Sequence, residues 1–392
     1  MPKLLNKYGL VLVLSATRPV FYFISPTISR LSDIAVLFAV FFVNPQIFKI
    51  VRPFLLMQLS YLFVICLSIT TFVIAGGDIN GKDLIELSRP FFWIGAALVG
   101  AGLVQSGNIH GLLKLLLGVA ILNSALCILM AISPALFKPL YVIYSVPNLF
   151  YHGRPGGLAY THTEFVAINL LGIFAVNLLT SLKYRKSIIF FLLLSSLIPA
   201  SKGGIVLILS YFLLLGILKF RRLFFAYCLL LLILIAIYID QINEFLQANL
   251  PYVYWGFFNL SRALVSGSTT DGSVGPRLED WHIALTYRFH ELSMFVGNSA
   301  MRAYGDLSYI ESTFPNVLFR FGMLGLLFYY GSWLVSCALT LKEYRSFLFA
   351  LCGAVFIADL TANFSESIKF MYLFAAVQGA LIYIGATRSR FL

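Results

Sequence analysis

The chain has 392 residues, 60% of them hydrophobic and only 11% charged, with a formal net charge of +12. A soluble globule cannot cover its surface with so few charges, so the composition makes the bilayer the solvent for most of the chain. The positive balance is not a nucleic-acid footprint, because the basic residues lie at gaps between apolar runs rather than in one patch.

About twelve apolar runs approach the roughly 20 residues a helix needs to cross the hydrocarbon core. The predicted spans are 8–27, 31–48, 53–76, 88–106, 111–133, 161–181, 187–200, 203–218, 223–240, 313–340, 346–364 and 368–386. The seventh and eighth are short and separated only by Ser201-Lys202-Gly203-Gly204, which predicts a broken or shallow pair. Alternate gaps differ sharply in charge. One set, from Lys3 and Lys7 through Lys183, Arg185 and Lys186 to Arg388 and Arg390, holds fifteen Lys and Arg against the single acid Glu343. By the positive-inside rule both termini are cytoplasmic and the other gaps face outward. Ser15-Ala16-Thr17 before Arg18-Pro19 is a poor cleavage site, so no signal peptide is expected. Cys66, Cys127, Cys228, Cys337 and Cys352 all fall in apolar spans without paired spacing and read as packing residues.

Three outward segments carry the unusual chemistry. The first, 134–162, contains Tyr151-His152-Gly153-Arg154-Pro155-Gly156-Gly157 and leads into Thr161-His162-Thr163-Glu164, a capping-box pattern that gives Glu164 a structural role at a helix start. The second is the Ser201 to Gly204 turn. Ser201 can cap the eighth helix, and Lys202 beside a positive helix end is either an anion site or a snorkelling lysine. The third is the long loop 241–312. After a linker-like stretch, Leu278, Trp281, Leu285, Phe289 and Leu292 follow helical spacing, predicting one amphipathic helix over 277–295 on the outer membrane surface, with Trp281 at headgroup level and Arg277 and Arg288 on it. Glu311 precedes a helix start marked by Ser312, Thr313 and Pro315, where it is either a solvated acid or a catalytic base.

No Walker A loop, Rossmann glycine pattern or zinc-binding helix motif is present, and the five histidines show no ligand spacing. No metal and no cofactor are expected. Arginines at the rim of an apolar bundle suit an anionic, membrane-embedded substrate, because guanidinium clamps phosphate through two parallel hydrogen bonds. A lipid-linked diphosphate sugar has both the anionic head and the apolar tail.

Three local patterns, Arg154-Pro155-Gly156-Gly157, Ser201-Lys202-Gly203-Gly204 and Gly275-Pro276-Arg277 with Trp281, are followed by Gly297-Asn298 and the stretch from Glu311 to Gly322-Met323-Leu324-Gly325. In this order, with the late loop and the helix count, the chain resembles the O-antigen polymerase and ligase superfamily of bacterial inner-membrane glycosyltransferases. The resemblance implies an all-α polytopic membrane protein of about twelve transmembrane helices, a GT-C-like bundle with a large late periplasmic loop. Its parts are a bundle at 1–240, a periplasmic loop at 241–312 and three last helices at 313–392. Lys202 stands where many relatives have arginine, and Glu311 and Asn316 stand where ligases tend to have a His-Asn pair, which favours a polymerase of the Wzy type. The implied activity is transfer of glycan between undecaprenyl-diphosphate carriers on the periplasmic face. Arg154 and Arg277 would stabilise the leaving diphosphate, Glu311 would be the base, and Lys202, Arg288, His162, Trp281 and Tyr160 would contact substrate. A chain-length regulator is a compatible partner. The rival readings are a ligase of the same superfamily and a secondary transporter of lipid-linked sugars.

Overall fold

A computed structural model describes residues 7–16, 35–36, 40–79, 81–105, 109–133, 157, 159, 162–199, 201, 203–219, 241, 244, 247–248, 275–299, 310, 312–360, 362 and 368–388. Among the described residues all regular structure is helical. The helices are α1 (Lys7–Ala16), α2 (Pro45–Ile74), α3 (Gly81–Gln105), α4 (Ile109–Ile132), α5 (His162–Leu178), α6 (Arg185–Leu197), α7 (Gly203–Lys219), α8 (Gly275–Thr286), α9 (Ser293–Val296), α10 (Thr313–Leu339), α11 (Lys342–Asp359) and α12 (Ile368–Arg388).

Five of these are long and apolar enough to cross a membrane: α2, residues Glu86–Gln105 of α3, α4, α10 and residues Phe370–Thr387 of α12. The fold is that expected of a helical membrane protein. The start of α2 follows from local chemistry: Asn44 accepts a hydrogen bond from the Gln46 amide at 2.9 Å, and Pro45 occupies the first turn, where its missing N–H costs nothing. The sequence pattern had carried the second apolar run through to residue 48, but this cap and proline begin a new helix three residues earlier.

At the centre, α3 and α12 lie along each other. A Cβ on Gly100 would meet the Ala376 carbonyl, and one on Gly379 would meet the Ala97 carbonyl, so small residues on both helices let the backbones touch. To one side α2 and α10 pack together, tied in by rings: Trp93 of α3 stacks on Trp333 of α10 at 6.4 Å, and Tyr61 of α2 meets Tyr329 of α10 edge-on at 5.3 Å. To the other side lie α4, α5 and α6. Every residue of α5 from Glu164 to Leu178 is buried, as a helix apolar on all faces requires.

The apolar runs on either side of the Ser201 turn form two short helices, α6 and α7. Thirteen residues of α6 rise only about 20 Å at 1.5 Å each, short of the ~30 Å hydrocarbon core. One amide holds this short helix in place. Asn169 of α5 accepts from Asn123 Nδ2 at 3.3 Å and Ser124 Oγ at 3.2 Å on α4, and donates to Ser195 and Ser196 Oγ on α6 at 3.1 and 3.0 Å. Ser195 Oγ closes the ring by donating to Ser124 Oγ at 2.8 Å. With its amide saturated, Asn169 is a three-helix pin in an apolar interior, where each lost partner leaves another group unsatisfied.

Replacing Asn169 by Leu keeps the volume and takes one hydrogen-bond partner from each of Asn123, Ser124, Ser195 and Ser196. The expected loss is about 0.5–1.5 kcal/mol per hydrogen bond removed, read as a lowered unfolding temperature of the purified protein in detergent. An unchanged temperature would show that the network contributes nothing.

Candidate functional site

The ends of α10 and α11 are joined by the helix that precedes them in the late loop. Asp280 on α8 is buried, and its Oδ2 accepts the backbone N–H of Ser312, the residue at the N-terminal cap of α10, at 3.2 Å. One residue on, the Trp281 indole N–H donates to the Leu360 carbonyl at the end of α11 at 3.0 Å, and its ring stacks on Phe314 at 5.2 Å. Phe314 in turn stacks on Tyr330, whose hydroxyl donates to the buried Asp359 at 3.1 Å. A carboxylate at a helix N-terminus and an N–H at a helix C-terminus each complement the local dipole. Trp281 is therefore a docking residue at the ends of α10 and α11.

The same pattern predicted one helix through residue 295, but α8 ends at Thr286. Arg288 turns back and donates to the carbonyls of Ala284, Leu285 and Tyr287 at 3.2, 2.6 and 2.6 Å, closing the end of α8. Beyond it, α9 and residues 297–299 run against α10 and α2, with Phe289 packed on Phe72 at 4.8 Å. Here α10 is broken. Gly322 has φ 65° and ψ −166°, and Gly297, at φ 81°, lies against it. The break frees the carbonyls of Phe319 and Arg320 from their helical partners, and the loop supplies replacements. The Asn298 and Ser299 amides donate to Phe319 O and Arg320 O at 2.9 and 3.0 Å, Asn298 Nδ2 adds a bond to Phe319 O at 3.2 Å, and Ser68 of α2 donates its hydroxyl to Arg320 O at 2.7 Å.

Beside this break sits a charge cluster. Arg320 is 1% exposed and its Nη1 lies 2.9 Å from Glu86 Oε1 on α3, while Glu86 Oε2 lies 3.0 Å from Arg89 Nε. Arg320 Nε also reaches the Ser299 carbonyl at 3.4 Å. Glu86, Ser68 and Arg320 lie five to seven residues, roughly one and a half to two turns, from the end of their helices, so the cluster occupies one level of the bundle. Neither Glu86 nor Arg320 was singled out from the sequence. The signal was present, because charges inside apolar spans are rare and Phe319-Arg320-Phe321 places one among aromatic residues.

Of the residues predicted from sequence, Arg154, Tyr160, Lys202 and Glu311 lie outside the described residues, and Arg277 is described only as a backbone position in the first turn of α8. Thr161 of the expected capping box is also outside, while Glu164 is buried in the first turn of α5 and His162 opens that helix, half-buried. Ser201 does cap α7, accepting the Gly204 amide at 3.1 Å, and Gly204 packs on Val166 of α5. The Ser201 turn thus meets the helix that His162 begins, while Asp280, Trp281 and Arg288 belong to the other side, on α8 and its end. Cys66, Cys127, Cys337 and Cys352 are free thiols; Cys337 and Cys352 approach to 3.8 Å between α10 and α11. The described residues hold no group of His, Cys, Asp and Glu able to bind a metal ion. The chain matches no protein-family model and no curated protein.

Gly322 occupies a backbone region open essentially to glycine, and a Cβ there would strike the Phe295 carbonyl. Gly322→Ala is expected to lower the yield of folded protein in detergent severalfold by size-exclusion chromatography, whereas Gly118→Ala, at a position with open space around it, leaves the yield unchanged.

Proposed function

We propose that this chain is a membrane-embedded glycosyltransferase of the O-antigen polymerase type, joining oligosaccharide repeat units carried on undecaprenyl diphosphate. In this reading the bundle has about twelve transmembrane helices with a GT-C-like arrangement, lies in a bacterial inner membrane with both termini cytoplasmic, and works at its periplasmic face. The observation that carries it is the docking of α8: Asp280 and Trp281 fasten the late loop to the ends of α10 and α11. A loop fixed over a bundle end suits a reaction between the glycans of a lipid-anchored donor and a lipid-anchored acceptor, since reacting groups must be held in register.

Arg277, in the first turn of the fastened helix α8, and Arg154 would offset the charge that develops on the departing diphosphate. Glu311, next in sequence to Ser312, would take the proton of the attacking sugar hydroxyl. The departing diphosphate needs charge stabilisation more than protonation, so no general acid is required. Lys202, His162, Tyr160, Trp281 and Arg288 would line the approach, with Trp281 and Arg288 acting through the fold of the loop. A chain-length regulator would be the natural protein partner.

Deletion of the gene is expected to reduce the lipopolysaccharide ladder on a gel to core bearing one repeat unit, and Arg154→Ala or Arg277→Ala to reproduce that loss at normal protein abundance. Complete absence of attached repeats with lipid-linked polymer accumulating would identify a ligase, and an unchanged ladder would return the assignment to transport.

A further inference from the structure

Two guanidinium groups, Arg320 and Arg89, share one carboxylate, Glu86, at a level roughly one and a half to two turns inside the bundle. Burying two ionised groups, Arg320 and Glu86, in an apolar interior is costly, and a site meant only to fasten α3 to α10 would be better served by apolar packing of the same volume. The cluster is not closed off on every side: Arg320 and Glu86 are buried, but the Arg89 side chain keeps 23% exposure and marks the approach. The cluster also borders the interrupted backbone of α10, where Ser299 is held at φ 57°, the one described residue other than glycine with positive φ. Strain of this kind collects where a fold over-determines a binding position.

The geometry points to a phosphate-binding site at Arg320 and Arg89, in which Glu86 is a resident counter-ion that yields to an incoming phosphate or diphosphate group. An intramembrane arginine paired to a carboxylate is neutral enough to be stable when empty, and exchanging the carboxylate for a phosphate keeps both guanidinium groups satisfied. Only the expectation of a lipid-linked diphosphate as the ligand rests on the function proposed above; recognition of the phosphate group does not.

The test is binding of inorganic pyrophosphate, farnesyl diphosphate and farnesol to the purified full-length protein in detergent, by isothermal titration calorimetry. Removing the charge of the resident carboxylate in Glu86→Gln should tighten both phosphorylated probes about tenfold, the worth of one charge-assisted contact. Arg320→Gln should abolish binding, and Arg89→Gln should weaken it about tenfold. Similar affinity for pyrophosphate and farnesyl diphosphate would support a site for the free anion, and a tenfold preference for the latter would support a lipid headgroup site. A purely structural ion pair predicts the opposite for Glu86→Gln, a less stable protein with unchanged affinity, and that result overturns the proposal. So does farnesol binding as tightly as farnesyl diphosphate. If Glu86→Gln does not fold, Arg89→Gln on the partly exposed member decides, and wild-type affinity there overturns the site. The assay makes no polymer, so a normal ladder in the deletion strain would remove the polymerase and leave this result standing.

Discussion

A broken helix inside a membrane must find new partners for the carbonyls it releases, because the surrounding hydrocarbon offers none. In α10 the break at Gly322 releases Phe319 and Arg320, and the protein answers with Asn298, Ser299 and Ser68. The rest of the bundle end follows from that. Residues 297–299 have to enter the bundle to reach those carbonyls, which draws α9 down and sets α8 across the ends of α10 and α11. The late loop is thereby an integral wall of the bundle, and Arg320 is turned toward Glu86 on α3.

The two halves of the molecule use different adhesives. Between α3 and α12 the contact is van der Waals, made close by Gly100 and Gly379, and the Trp93 and Trp333 rings extend it to α10. Between α4, α5 and α6 apolar packing, with Gly172 close to Ala120 and Leu192, is joined by a polar network centred on Asn169. A fixed short α6 keeps the Ser201 turn level with the first turns of α5, so local helix length and an interior amide together decide where that turn sits.

Much of the helical architecture was legible in the sequence because apolar runs report helix length directly. The predicted runs at 88–106, 111–133, 203–218, 313–340 and 368–386 agree closely with α3, α4, α7, α10 and α12. The Ser201 cap and the short α6 were also legible, from a hydroxyl before two glycines and from the short run at 187–200. What was not legible depended on contacts between distant segments. Ser312 looks like a capping serine, yet its hydroxyl makes no cap and the tie comes from Asp280, thirty-two positions earlier. Periodicity extended α8 to residue 295 because it cannot register that Arg288 folds back onto carbonyls of its own helix. Arg320 and Glu86 became visible as a pair only when α3 and α10 were brought together.

The separation of partners along the chain also bears on the order in which the protein is built. Trp281 bonds a carbonyl 79 positions later, and Ser68 bonds one 252 positions later. At the roughly 5–20 residues per second of protein synthesis, α2 waits about ten to fifty seconds for α10 to emerge. During that interval the Ser68 hydroxyl can turn to a carbonyl of its own helix, as serine readily does, so the nascent helix stays neutral toward hydrocarbon until its partner arrives. The bundle end that holds the charges consequently closes late, before only the docking of α12 along α3, and a chain released before α11 is complete would leave α8 with neither the Leu360 carbonyl nor a finished floor to dock on.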